Sequence, residues 1–230
     1  MKVQAVIFDL FGTLVFDKFS GEKYTQFLSR QASALKLDNS QFAALWKNSF
    51  SERTIGKFET LEHNLNWIGK QLGRTLNPVS VEEVASQMVD LTRQALTPRS
   101  QALEVLFQLR LKGIKTGLMS DCGPAVPLVW NETPFPTLFD AAAFSCKEGI
   151  RKPDPAFYQV LVDRLGVPAS QCFYIGDGHS DELAGAKKMG MKAVQVWSAI
   201  DTDEPDRLVV KDWDGITLKS LSEVLVLLGT

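Results

Sequence analysis

Residues 3–13 read Val3-Gln4-Ala5-Val6-Ile7-Phe8-Asp9-Leu10-Phe11-Gly12-Thr13. Val3, Ala5 and Ile7 alternate with Gln4, Val6 and Phe8 in a β-rich run that stops at a carboxylate and is followed by a glycine. That is the pattern of a buried strand delivering Asp9 into a loop.

Downstream the pattern turns helical. Tyr24, Phe27, Leu28, Ala32 and Leu35 share one helix face, and Phe42, Leu45, Trp46 and Phe50 a second. Leu61, Leu65, Ile68 and Leu72 form a third, opening near Thr60 and ending at Gly73. A fourth carries Val81, Val84, Met88 and Leu91 behind Ser80 as N-cap, with Glu83 completing a capping box. No strand pattern separates them, so residues 16–96 read as an all-helical insert. From Pro98 helix and strand alternate: a helix over 102–111 stopped by Gly113, strands over 115–119 and 141–144, and a helix from Pro155 to Gly166. A strand over 172–175, a helix over 182–189, a strand over 193–197 and a last amphipathic helix over 218–228 complete the series. The acidic stretch 201–206 reads as a loop. Strands separated by helices imply a parallel sheet covered on both faces, an α/β fold assembled from residues 1–15 and 97–230.

With 230 residues, 45% hydrophobic and 23% charged, the chain can bury a full core. Its 25 basic and 27 acidic residues leave a formal charge of -2, no global field for nucleic acid or an anionic membrane, so any anion site has to be local. Cys122, Cys146 and Cys172 are odd in number and lack metal-ligand spacing, which argues for a reducing compartment over a disulfide framework or structural zinc. The apolar stretch 3–8 is too short for the core of a signal peptide, and no run approaches membrane-spanning length. The expectation is a soluble cytoplasmic monomer or homodimer whose partner is a small molecule, neither nucleic acid nor membrane.

Ligands of open parallel sheets sit at the carboxyl ends of the strands. Four groups fall there: Asp9 through Thr13, Ser120-Asp121, Lys152 before Pro153, and Gly176-Asp177 through Asp181-Glu182. A strand-end carboxylate such as Asp9 can attack phosphorus or an alkyl carbon and split one hard displacement into two easier ones. Gly12 allows a sharp turn with backbone amides toward an anion, and Thr13 either caps that turn or touches the ligand. Asp177 with Asp181 or Glu182 adds negative charge that a confined site tolerates only beside a cation, and hard carboxylate oxygens suit Mg²⁺. His179 lies within this last group, His63 on the insert's surface, and Cys122 reads as a small buried residue.

These four groups, in this order, resemble the haloacid dehalogenase superfamily of hydrolases. The resemblance covers about residues 1–15 and 98–200, and places the helical insert where that superfamily carries a type 1 cap over a Rossmann-like core. It implies Asp9 as nucleophile, and Ser120 and Lys152 as catalytic groups. Gly12, Thr13, Ser120, Asp121 and Lys152 would bind substrate, a small phosphorylated metabolite. Mg²⁺ would be held by Asp9, the backbone carbonyl of Phe11 and Asp177, with Asp181 or Glu182 as outer acid; the spacing to Gly190 favours Glu182 slightly. Specificity would reside in the insert near Trp46, Arg53 and Lys57.

Phosphatases of that superfamily carry a second aspartate two residues after the nucleophile as general acid/base, where this chain has Phe11. Three readings follow. Another group, such as His179, Asp181 or an insert side chain, supplies the proton or the leaving group departs without one; or the protein is a 2-haloacid dehalogenase, a branch with an aromatic residue at that position and with which Tyr158 agrees; or it binds a ligand without turnover. The acids of the fourth group, Asp121 in place of asparagine, and Lys47 where those dehalogenases have a carboxylate-binding arginine favour metal-dependent phosphoryl hydrolysis.

Overall fold

In the computed structural model, which describes residues 3–196 and 213–229, strand β1 (Ala5–Phe8) is buried along its whole length. Its period-two alternation divides the core: Val6 and Phe8 enter one apolar cluster, Ala5 and Ile7 another on the opposite face. After β1 come five helices, α1 (Gly21–Ala34), α2 (Asn39–Asn48), α3 (Phe50–Thr54), α4 (Leu61–Gln71) and α5 (Pro78–Ala95). Then follow α6 (Ala102–Leu111), β2 (Lys115–Ser120), α7 (Ala125–Val129), β3 (Ala141–Phe144), α8 (Ser145–Glu148), α9 (Pro155–Leu165), β4 (Cys172–Gly176), α10 (Glu182–Lys188), β5 (Lys192–Val196), β6 (Ile216–Leu218) and α11 (Glu223–Leu227).

The strands form one parallel sheet in the order β3-β2-β1-β4-β5-β6. Val105, Leu106, Val126 and Val224 from α6, α7 and α11 cover one face, and Phe157, Tyr158, Leu161 and Leu183 from α9 and α10 the other. Helices on both faces of a parallel sheet make this a Rossmann-like α/β fold. Its strand order reverses between β1 and β4, so the crevice beyond their carboxyl ends is where the topology opens.

Helices α1, α2, α4 and α5 enclose an apolar cluster of their own, including Leu28, Phe42, Trp46, Leu65, Ile68 and Val84, which Ala125 of α7 joins. The chain enters and leaves this insertion side by side. Val15 bridges Pro98, and the Arg99 amide donates to the Leu14 carbonyl at 2.9 Å.

Several expected boundaries move, each for a local reason. Helix α5 starts at Pro78, because the Asn77 side chain accepts from the amides of Val79 (2.9 Å) and Ser80 (3.2 Å); Ser80 therefore lies in the first turn and is not the cap. Phe50 opens the separate short helix α3 and does not extend α2. The 218–228 helix is shorter than its periodicity suggests: residues 216–218 pair with β5 as an edge strand, leaving the helix to 223–227. Trp197 and the 201–206 loop lie outside the described residues.

Candidate active site

Strand β1 ends on Asp9, whose amide still donates to the Ile175 carbonyl of β4 at 2.9 Å. The carboxylate is thus pinned at the strand end and is 5% exposed. Lys152 reaches it from the loop between α8 and α9: its Nζ donates to Asp9 Oδ1 and to Glu182 Oε2, each at 2.6 Å, and its amide donates to Asp121 Oδ1 at 3.0 Å. Asp177 follows β4, accepting the His179 amide at 2.8 Å and pairing with His179 Nδ1 at 3.0 Å. Its carbonyl accepts from Gln195 Nε2 at 3.0 Å, which ties the loop to β5.

Glu182, fully buried, is held from three sides. Tyr174 Oη donates to its Oε2 at 2.8 Å, the Gly178 amide to its Oε1 at 3.0 Å, and Tyr158 Oη to its backbone carbonyl at 2.8 Å. Gly176 makes room for the carboxylate: a Cβ there would stand 2.1 Å from Glu182 Oε1. Between the two acids the chain runs through left-handed backbone at Gly178 (φ 99), Ser180 (φ 58) and Asp181 (φ 51), which turns Asp181 out to solvent and Glu182 in. Of the two rivals for the outer acid, the fold brings Glu182 into the cluster and leaves Asp181 exposed. Tyr158, a mark of the dehalogenase alternative in sequence, serves here to position Glu182.

The electrostatics follow from burial. Desolvation, reinforced by the charge of Glu182 and opposed by Lys152, pushes the Asp9 carboxyl up from 3.8 to about 6. Burial works against a charged Lys152, yet Asp9, Glu182 and Asp121 outweigh it and hold the ammonium well above its ordinary range. Asp9, Asp177 and Glu182 each offer an oxygen within 4.8 Å of the others. Among the described residues Asp9 and Glu182 share the one ammonium of Lys152, and the three carboxylates offer an all-hard-oxygen donor set, which fits a small divalent cation.

Ser120, at the end of β2, is fully buried, and its Oγ makes no hydrogen bond; Asp121 Oδ2 is likewise buried and unpartnered. These two adjacent residues, with polar atoms that have no partner among the described residues, mark where a polar ligand atom would be satisfied. The Gly12 amide, expected to face an anion, instead donates to the Val15 carbonyl at 2.7 Å, and Thr13 Oγ1 lies 3.4 Å from Asp9 Oδ2. Gly12, at φ 76, makes the turn, and its amide is consumed by that turn.

Phe11 stands against the insertion. Its ring meets Phe19 edge-on at 5.4 Å, Phe19 meets Tyr24 at 5.7 Å, and Tyr24 Oη accepts from Trp46 Nε1 at 2.8 Å. Arg53 lies over the Trp46 ring at 3.9 Å. Its Nη1 donates to the Trp46 carbonyl, Ser49 Oγ and Asn64 Oδ1 at 3.0–3.1 Å, and burial lowers it to about 10. Lys57 pairs with Glu52, and both it and Lys47 are exposed; His63 is exposed against Phe58. Cys122 is buried, and desolvation, reinforced by the neighbouring Cys146, pushes its thiol up.

Two contributors carry no local signal in sequence. Tyr174 is one more apolar-looking strand residue until Glu182 arrives beside it. Arg99 reaches back 87 residues to donate to the Gly12 carbonyl at 3.0 Å, tying the insertion's exit to the loop that follows Asp9.

Comparison with known proteins agrees with the fold. A glyceraldehyde 3-phosphate phosphatase of Methanocaldococcus jannaschii is 26% identical over 136 residues, 56% of this chain and 56% of that one, so the chain spans about half the length of such curated relatives. In fold, a haloacid dehalogenase-type phosphatase from Thermococcus onnurineus superposes with a TM-score of 0.66 at 22% identity, covering 100% of this chain and 98% of the other. An L-2-haloacid dehalogenase from Xanthobacter autotrophicus gives 0.62 at 18% identity, with 97% and 98% covered. Among the described residues no helix is long and apolar enough to cross a membrane. The family model for haloacid dehalogenase-like hydrolases matches residues 3–190, well over half the chain, and this chain belongs to that family of hydrolases.

Proposed function

We propose that the protein is a Mg²⁺-dependent phosphoryl hydrolase working through an aspartyl-phosphate on Asp9. The observation that carries this reading is the buried acid cluster of Asp9, Asp177 and Glu182 around a single ammonium, Lys152. A dehalogenase displacing halide has no need of so much negative charge, whereas a phosphoryl site that holds a divalent cation has. Asp9, the Phe11 carbonyl and Asp177 would hold Mg²⁺ directly, with Glu182 as the outer acid; when bound, the ion supplies positive charge that lets Asp9 and the phosphoryl oxygens approach.

The chain's own groups do the rest. Asp9 Oδ attacks phosphorus in line, the bond to the leaving oxygen breaks, and water then attacks phosphorus to release phosphate and restore the carboxylate. Lys152 and Ser120 Oγ stabilise the equatorial oxygens, and Asp121 fixes Lys152 through its amide. Position 11 offers no proton, and His179 is engaged by Asp177, so the reading favours substrates whose leaving group departs as a stable anion, such as acyl phosphates or phosphoanhydrides. The helical insertion acts as a cap that excludes water and supplies specificity, the protein working in a reducing, cytoplasmic setting on a small molecule.

The test is release from phosphate esters, acyl phosphates and 2-haloacids, each with Mg²⁺ and with chelator. Phosphate release abolished by chelator is expected. Halide release indifferent to chelator would establish the dehalogenase reading, which Phe11 favours.

A further inference from the structure

Among the buried charges that the reaction outlined above does not use, one stands on the insertion. Arg53, on α3 of the insertion, is 7% exposed, and among the described residues no carboxylate pairs with it. Its partners are all neutral: the Trp46 carbonyl, Ser49 Oγ and Asn64 Oδ1, every one of them on Nη1. Among the described residues Nε and Nη2 have no acceptor, and neither is sealed from solvent. One edge of the guanidinium is thus fixed by three acceptors and the Trp46 ring, while the other is open. A buried guanidinium without an anion is costly, and so rigid a mounting suits a planar cation held ready for an anionic partner.

Two observations place that open edge beside the strand-end cluster. Arg53 lies across Gly123, three residues beyond Ser120: a Cβ there would come within 3.0 Å of Arg53 Cγ and 3.6 Å of Nε. From the other side, the aromatic row Phe11, Phe19, Tyr24 and Trp46 runs from two residues beyond Asp9 to the underside of the guanidinium. Arg53 therefore sits over the loops that follow β1 and β2, opposite the phosphoryl-handling groups.

We infer that Arg53 is a specificity residue that receives a second anionic group of the substrate, so that the preferred ligand is a small phosphorylated compound whose far end carries a carboxylate or a second phosphoryl group. The inference rests on the phosphoryl-hydrolase reading for the first anion and adds the second. A neutral tail would leave Arg53 unpaired in the closed site, and an apolar one would bury it without compensation.

Affinity measured by calorimetry on Asp9→Asn, which can bind but not turn over, separates binding from chemistry. Three probes share a three-carbon frame: 3-phosphoglycerate, propane-1,3-diol bisphosphate and glycerol 3-phosphate. Charge-assisted hydrogen bonds to a guanidinium predict that one or both anionic-tailed probes bind about 10–100-fold tighter than glycerol 3-phosphate. Which of the two does so tells carboxylate from phosphoryl. Adding Arg53→Met should abolish the advantage and Arg53→Lys restore part of it. Loss of a merely structural arginine would weaken all three probes together, and circular dichroism of each variant reports its folding. Equal affinity for the three, an advantage that survives Arg53→Met, or no binding of any of them would overturn the inference. Wild-type turnover without tail preference would do the same while leaving the hydrolase reading intact; tail-selective binding with no phosphate release from any ester, acyl phosphate or phosphoanhydride would sink the hydrolase reading instead.

Discussion

At the strand ends one buried ammonium, Lys152, faces three buried carboxylates; in the helical insertion one buried guanidinium, Arg53, faces none. Among the described residues, two carboxylates share one ammonium in the first region, and in the second a guanidinium has neutral partners alone. Structural ion pairs are normally completed within the chain, because an uncompensated buried charge is expensive. Such opposite charge patterns are what the proposed site for a cation and a bifunctional anion requires. The surroundings differ in kind as well: Asp9 is fixed by a parallel ladder, whereas Arg53 is fixed by side-chain and carbonyl acceptors within a few turns of helix.

The sharpest way to break this contrast is at Asp9. Asp9→Asn keeps the shape and removes both the nucleophile and one negative charge, and turnover should fall by about 10⁴-fold or more; steady-state phosphate release checks it, and a smaller loss would mean another group attacks. Next in size is Lys152→Met, which strands Asp9 and Glu182 together. It should cost about 3–5 kcal/mol of stability in chelator, as measured by urea unfolding, and Glu182→Gln in the same chain should recover much of it. If the single change is harmless, the two carboxylates do not depend on that ammonium.

The third prediction concerns pH. Asp9 has a folded value of about 6 against 3.8 unfolded, so its protonated form favours the fold: without metal, this group adds stability as pH falls through 6 toward 4. The attacking form is lost over the same range. The rate kcat/KM should therefore fall about tenfold per pH unit below 6 at low Mg²⁺, the limb moving to lower pH as Mg²⁺ is raised. A limb near 4 that ignores Mg²⁺ would contradict both the burial and the cation.

Phe11→Asp has the smallest expected effect and sits at the boundary between the two regions. It supplies the missing proton donor and should raise turnover of alkyl phosphates about tenfold or more. It also removes the edge-on contact with Phe19, at a cost of about 1 kcal/mol in thermal unfolding. A folded variant with no gain over a measurable wild-type rate would show that another acid already performs the task.

Much of this was legible in residue order. The alternation over Ala5–Phe8, the helix over Ala102–Leu111 and the strand over Ala141–Phe144 stand where their periodicity places them, because each buries a regular apolar face. Segment 216–218 was not legible as a strand, since three residues carry no period and pair only because β5 offers an edge. The four strand-end groups could be read from their positions after strands. The choice between Asp181 and Glu182 could not: adjacent residues share the same spacing, and a left-handed backbone at Ser180 and Asp181 decides which one turns inward.

Sequence alone determined that a parallel sheet presents Asp9, Ser120, Lys152 and Asp177 at one edge, since strand and helix periods are local properties of the chain. Which acid completes the cluster, that Tyr174 and Gly176 shape its socket, and that Arg53 stands unpaired above Gly123 were left to three-dimensional packing. Charge balance in a cleft depends on distances between segments far apart in the chain, and no local pattern encodes those.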